Sequence, residues 1–188
     1  MKQDAGLRQT IRSRLRLGPI SAIPVALGVM TLAAICGFAQ LRINLTPSEP
    51  LGLWRIVALS RPVAVGDQVF VCPPRTATIA EGLSRGYLRP GLCPGGYTAL
   101  IKTVVAIAGD RIEVGFNVRV NGREVAGSIL RSIDGKGRPL LPSPSGTVPA
   151  EEVFLHSPYA ASWDSRYFGP VPASGILGLA EEVWTYAP

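Results

Sequence analysis

Between Arg16 and Arg42 the chain carries no charged residue. The run "LGPISAIPVALGVMTLAAICGFAQL", 17–41, exceeds the ~20 apolar residues that a helix needs to cross a bilayer. A segment of this kind must leave water, and the flanking arginines argue against a core helix. Lys2, Arg8, Arg12, Arg14 and Arg16 crowd the side before it, against a single Asp4. The positive-inside rule therefore makes 1–16 a cytoplasmic basic N-terminus and sends the chain from 42 to 188 across the membrane. Two readings of 17–41 stay open: a retained transmembrane signal anchor, or a signal peptide removed at the small-x-small site Gly37-Phe38-Ala39. In a bacterium the product is periplasmic, held in the inner membrane by this segment unless it is cleaved.

The net charge of +6 does not indicate nucleic acid. Without the N-terminal cluster the chain is nearly balanced, and it has no interleaving of basic and aromatic residues. Cys36 sits in the apolar run, which leaves Cys72 and Cys93 as an even pair in the exported part. An oxidising compartment would let them join, closing a loop worth about 3 kcal/mol on the chain-entropy estimate. Free thiols are the other option. With one histidine in the chain, a zinc site is poorly supported, and no metal or cofactor is expected.

The exported part reads as many short strands between turns. "GLWRIVAL", 52–59, is a strand, and "RPVAVGDQVFVCPP" gives a Gly-Asp turn followed by a strand over 68–72. Residues 75–98 form a Gly/Pro-rich excursion with a short helix near 79–85. The apolar run 98–114 breaks at a second Gly-Asp turn. "VRVNGREV", 118–125, is a hairpin tipped by Asn121-Gly122. A second excursion spans 127–149, a strand 151–157, a turn-rich loop 162–172 and a closing strand 175–184. The 21 glycines and 17 prolines suit such a chain. The expected class is mostly β, a barrel or sandwich preceded by one transmembrane helix.

Three segments hold reactive candidates. Ser48 lies in "NLTPSEPLGLW", 44–54, between Pro47 and Pro50. Proline fixes its own φ and pushes the preceding residue out of the helical region, so the serine is held stiffly in an extended or turned segment. Lys102 is the only charge for about ten positions in "ALIKTVVAIA", on a strand face shared with Leu100 and Val104. Desolvation lowers a lysine's pKa, and a neutral lysine can take the proton of a serine. The third segment holds Ser162, Asp164, Ser165 and Arg166. A Ser48–His156–Asp164 triad is the competing arrangement.

In order, these segments resemble the boxes of the type I signal peptidase family, membrane-anchored serine–lysine proteases. The boxes are Pro47-Ser48-Glu49-Pro50, "VGDQVFV" at 65–71, "IKTVVAIAGD" at 101–110 and "SWDSRYFGP" at 162–170. They cover almost everything after residue 40. Within the family the serine box, with Asn44, Thr46, Ser48, Pro50, Gly52, Leu53 and Trp54, is most similar to the branch found in conjugative plasmid systems, which also carries an exported cysteine pair.

The resemblance implies a serine endopeptidase that processes, and in some members cyclises, the pilin subunit of a mating pilus. Its partners would be a pilin precursor, the inner membrane and mating-pair-formation proteins. It implies Ser48 as nucleophile and Lys102 as general base. Thr46 would join the Ser48 N–H in the oxyanion hole, Ser162 would orient the lysine, and Asp164 and Arg166 would form a supporting ion pair. The chain departs from the housekeeping enzymes at Glu49, where they have methionine, and at "HSPYAA", 156–161, where they have an acidic, Asn-rich run. A general signal peptidase and a non-catalytic periplasmic assembly factor are the alternatives.

Overall fold

The structure, a computed structural model, describes residues 19–38 and 40–187. The basic N-terminus at 1–16 and Ala39 of the expected cleavage site lie outside the described residues. Helix α1, Pro19–Phe38, falls within the expected apolar segment. It has no charged residue and no polar stripe, and Ile23, Val25, Leu27, Val29 and Met30 on it are exposed. Side chains in α1 are described only for 23–31 and 37, and among the described residues no helix is long and apolar enough to cross a membrane.

The remaining residues form a separate unit built from two antiparallel sheets. Its strands are β1 (Leu41–Asn44), β2 (Leu51–Val57), β3 (Gln68–Val71), β4 (Leu100–Ile107), β5 (Arg111–Val114), β6 (Val118–Val120), β7 (Arg123–Glu124), β8 (Gly146–Thr147), β9 (Glu152–His156), β10 (Val171–Pro172) and β11 (Ile176–Tyr186). The larger sheet runs β1-β2-β11-β3-β4-β9-β10, and the smaller runs β7-β6-β5-β8. The fold is thus mostly β, as expected. Two short helices, α2 (Ala77–Ser84) and α3 (Ser165–Phe168), lie in the loops.

The strand and turn expectations largely hold. Asn121 and Gly122 both take positive φ (51° and 79°) at the β6–β7 tip, the backbone that a two-residue hairpin turn requires. At the Gly-Asp turns the aspartate folds back on the chain: Asp67 Oδ2 accepts from the Ala64 N–H at 2.8 Å, and Asp110 Oδ2 from the Ile107 N–H at 2.9 Å. Short strands β8 and β10 fall in what read as an excursion and a turn-rich loop, and two further differences bear on the site. The uncharged apolar run extends through Leu41, but Leu41 opens strand β1, paired with Arg55 of β2. Asp164 caps α3 inside what reads as a turn-rich loop, its carboxylate accepting from the Arg166 N–H.

Alternation on β3 and β4 sends side chains to opposite faces of the sheet. Val69, Val71 and Val104 pack with Val153, Leu155 and Val171. Phe70 and Ile101 pack on the other side with Trp54 and Ile56. The 75–98 excursion has a small core of its own, Ile79, Leu88, Cys93 and Tyr97, against which Trp163 rests. Cys72 at the end of β3 is joined to Cys93 by a disulfide that pins this excursion to the sheet. Replacing both cysteines by serine should lower unfolding stability by about 3 kcal/mol, from the 21-residue separation. Chemical denaturation of the oxidised protein against the double variant measures the loss.

Candidate active site

The segment between β1 and β2 is organised by one side chain. Asn44, the last residue of β1, is buried. Its Nδ2 donates to the carbonyls of Thr46, Glu49 and Pro50, each at 3.0 Å. Its Oδ1 accepts from the Thr46 N–H at 3.1 Å and from Thr46 Oγ1 at 2.8 Å. A primary amide can satisfy so many backbone groups only in a closed turn, and this turn presents Ser48. Trp54, buried in β2, adds a bond from Nε1 to the Pro50 carbonyl at 3.0 Å. Gly52 (φ +129°) is needed next to it, because a Cβ there would sit 2.3 Å from the Trp184 carbonyl oxygen.

Ser48 is half-buried. Its carbonyl accepts from Ser157 Oγ, and among the described residues its N–H has no hydrogen-bond partner. It lines a cleft of about 910 Å³ together with Thr46, Lys102 and Ser162. The cleft is also walled by the edge strand β1 and by 86–94 of the disulfide-pinned excursion. The separated segments of the sequence therefore meet in one place.

Lys102 sits in the middle of the large sheet, opposite Val69, and is 2% exposed. Burial pushes its pKa below the ordinary lysine value, and the Arg166 charge adds to this; Asp164 and Glu49 act in the other direction without overcoming it. Ser162, 3% exposed, has a buried hydroxyl with no hydrogen-bond partner among the described residues. A buried hydroxyl in that condition at a cleft wall can orient an amine or a substrate group.

Asp164 and Arg166 are both fully buried and form a two-pronged pair, Nε to Oδ1 and Nη2 to Oδ2, each 2.8 Å. Burial alone would raise the Asp164 pKa. The nearby His156 ring and the bonds from Arg166, with the Arg166 and Lys102 charges, outweigh this and hold it below the usual carboxylate range. His156 Nδ1 lies 3.5 Å from Asp164 Oδ2, while Nε2 faces the Ala126 carbonyl at 3.2 Å. His156 does not line the Ser48 cleft, so the geometry gives no support to a Ser48–His156–Asp164 triad.

Thr46 departs from its expected part in one respect. The single proton of its hydroxyl is given to Asn44 Oδ1, and it reaches an oxyanion only by exchanging that bond. In the sequence Asn44 is only one member of the serine box, and Ser157 does not stand out. Only the Asn44-x-Thr46-x-Ser48 spacing hinted at the first, and nothing local marks the second.

The sequence has counterparts among known proteins. The family model described as signal peptidase, peptidase S26, matches residues 16–185. The chain belongs to that family. It is 57% identical over 183 residues to a probable conjugal transfer protein TraF of Sinorhizobium fredii, covering 95% of this chain and 96% of that one. It is 53% identical to the conjugal transfer protein TraF of Agrobacterium tumefaciens, covering 95% and 100%. It is 38% identical to a plasmid transfer protein TraF of Escherichia coli, covering 86% and 94%. Membership makes this a signal-peptidase-like protein.

Within the site, Asp164→Ala would strand the Arg166 guanidinium without its counter-charge. Stability should fall by about 3–5 kcal/mol. Thermal unfolding of the variant beside the wild type reads this directly.

Proposed function

We propose that the chain is a serine endopeptidase of conjugal transfer that cleaves the precursor of a pilus subunit, with Ser48 as nucleophile and Lys102 as general base. One observation carries the reading: a half-buried serine held in a rigid turn shares an apolar cleft with a lysine that burial biases toward its neutral form. The transfer setting is drawn from the relatives named TraF.

Lys102 Nζ takes the Ser48 hydroxyl proton as Oγ attacks the scissile carbonyl. The Ser48 N–H, with Thr46 Oγ1 once released from Asn44, stabilises the oxyanion; one such donor is worth roughly 100–1000-fold in rate. Ser162 orients the lysine, and the Asp164–Arg166 pair holds the loop that carries Ser162. The protonated lysine then gives its proton to the leaving amine. Water resolves the acyl-enzyme to a cut product, whereas the substrate's own N-terminal amine would resolve it to a ring.

The domain is read as a signal-peptidase-like barrel or sandwich with one N-terminal transmembrane helix, facing the periplasm. The uncharged run 17–41, the basic residues before it and the disulfide support that placement. Protease added outside spheroplasts should degrade the 42–188 domain; protection of that domain would overturn the orientation.

The activity is tested by co-expressing a candidate pilin with the wild type, Ser48→Ala or Lys102→Ala and weighing it intact. Processing with the wild type alone is expected, the variants losing roughly 1000-fold or more. A further deficit of one water marks a ring. Unchanged processing by the two variants would favour a non-catalytic assembly factor.

A further inference from the structure

The cleft that holds Ser48 and Lys102 carries charge at its rim. Arg42 stands on the β1 wall and Arg89 on the 86–94 wall, and both are exposed. The backbone holds each in place. Arg42 pairs with Trp54 of β2, and the Arg89 carbonyl accepts from the Thr98 N–H at 2.8 Å, just before the disulfide at Cys93. Arg42 Nη1 donates to the Leu41 carbonyl at 2.8 Å, and neither guanidinium has a carboxylate partner among the described residues. By contrast, Arg55, Arg61, Arg85, Arg111 and Arg138 each hold a carboxylate of this chain.

Among the described residues, no aspartate or glutamate lines the cleft. The nearby acids are engaged elsewhere. Glu49, next to Ser48 in the chain, is 8% exposed, and its Oε2 accepts from Gln68 Nε2 of β3 at 2.7 Å. Asp164 is bound to Arg166 through two 2.8 Å bonds. Asp134, in a smaller pocket that shares Ser162 and Trp163 with the cleft, accepts from Tyr87 and Arg138. Unpaired charges of one sign at the mouth of an apolar groove focus a positive potential along it. A substrate segment of small apolar residues supplies nothing to meet that potential.

We infer that the cleft selects a peptide that carries a carboxylate beside its small residues, with Arg42 and Arg89 as the specificity-determining residues. This rests on the serine–lysine reading above, which makes the cleft the substrate site. An acidic side chain and a free C-terminus share the chemistry that a guanidinium recognises, a planar pair of oxygens that fits its fork of N–H donors. A lysine or arginine in the same place meets repulsion, so the same rim rejects basic flanks. Both arginines are exposed, so the attraction is modest and is screened by salt.

The test uses the full chain in detergent and fluorescence-quenched peptides built around a run of alanines. Glu, Gln or Lys is placed on one flank or the other, and the peptides end in a free acid or an amide. The wild type should cut the Glu peptide roughly threefold to tenfold better than its Gln counterpart in kcat/KM, and the Lys peptide less well than either. Raising the salt from about 50 to about 500 mM should shrink that preference. Arg42→Gln combined with Arg89→Gln should bring the Glu/Gln ratio close to one, whereas Arg123→Gln, at an exposed position of β7 outside the cleft, keeps the wild-type ratio. A preference that follows the free C-terminus keeps the assignment and makes the chain end the source of the carboxylate. An active wild type that handles Glu and Gln alike overturns the assignment and leaves the peptidase standing. Binding of the same peptides to Ser48→Ala, read by fluorescence anisotropy, separates the two ideas from the other side. Tighter binding of the Glu peptide with no cleavage by the wild type keeps the assignment and overturns the peptidase. Neither selective binding nor cleavage overturns both.

Discussion

Arg166 and Asp164 bury two full charges where no water reaches either, and the geometry of the site hangs from that pair. Besides its two bonds to Asp164, Arg166 donates from Nη1 to the Ile129 carbonyl, and from Nη2 to those of Ser157, Tyr159 and Ser162. Asp164 in turn accepts from the Ser157 N–H. One ion pair thus fixes the backbone on both sides of "HSPYAAS", and Ser157 Oγ passes the constraint to the Ser48 carbonyl. A guanidinium suits this task because its donors fan out in one plane and it does not lose its charge. An exposed pair would have contributed little; here its removal would leave uncompensated backbone carbonyls as well as a charge.

The sheet supplies the second half of the arrangement. Lys102 could not stay buried on a flexible loop, because the ammonium would turn to water. In β4 it is flanked by backbone pairing to β3 and β9, and its face is shared with residues of the valine-rich core. Strain of this kind is tolerated because the surrounding ladders fix the strand independently of the lysine. Ser48, the proposed nucleophile, is held on the opposite principle. It sits on a short irregular turn, tied by a single asparagine and two prolines, at the point where an edge strand returns into the sheet. A rigid strand carries the lysine and a short irregular turn carries the serine.

Much of this could be read from residue order. The Asn121-Gly122 hairpin, both Gly-Asp turns, the runs that became β3, β4 and β9, and the isolation of Lys102 all follow from local patterns whose physics is short-ranged. What escaped was tertiary. β1 is four residues directly after an apolar run, with Arg42 and Ile43 exposed, so its alternation is too short to separate it from the segment before it. α3 has four residues, and its signal is only the capping carboxylate of Asp164, which the sequence presents equally well as an ion-pair partner. Ser157 and Gln68 matter because of what lies 109 and 19 residues away, respectively. Cys72 and Cys93 left bonding or free thiols open, and the fold joins them because β3 and the excursion end side by side.

The two excursions look like decoration in the sequence, yet the first walls the cleft and the second braces that wall. Tyr87 of the first donates to Asp134 of the second at 2.5 Å, and Arg138 Nε donates to the same carboxylate at 2.6 Å while its guanidinium lies over the Tyr87 ring. Arg85 and Arg138 exchange further bonds with backbone carbonyls across the same junction. Trp163, next to Ser162, stacks on Tyr167 and leans on Tyr87. The wall at 86–94 is therefore latched at one end by a disulfide and at the other by a charged and aromatic cluster. A wall fixed at both ends yields a groove of set width, which suits recognition of an extended chain by its backbone and by small side chains.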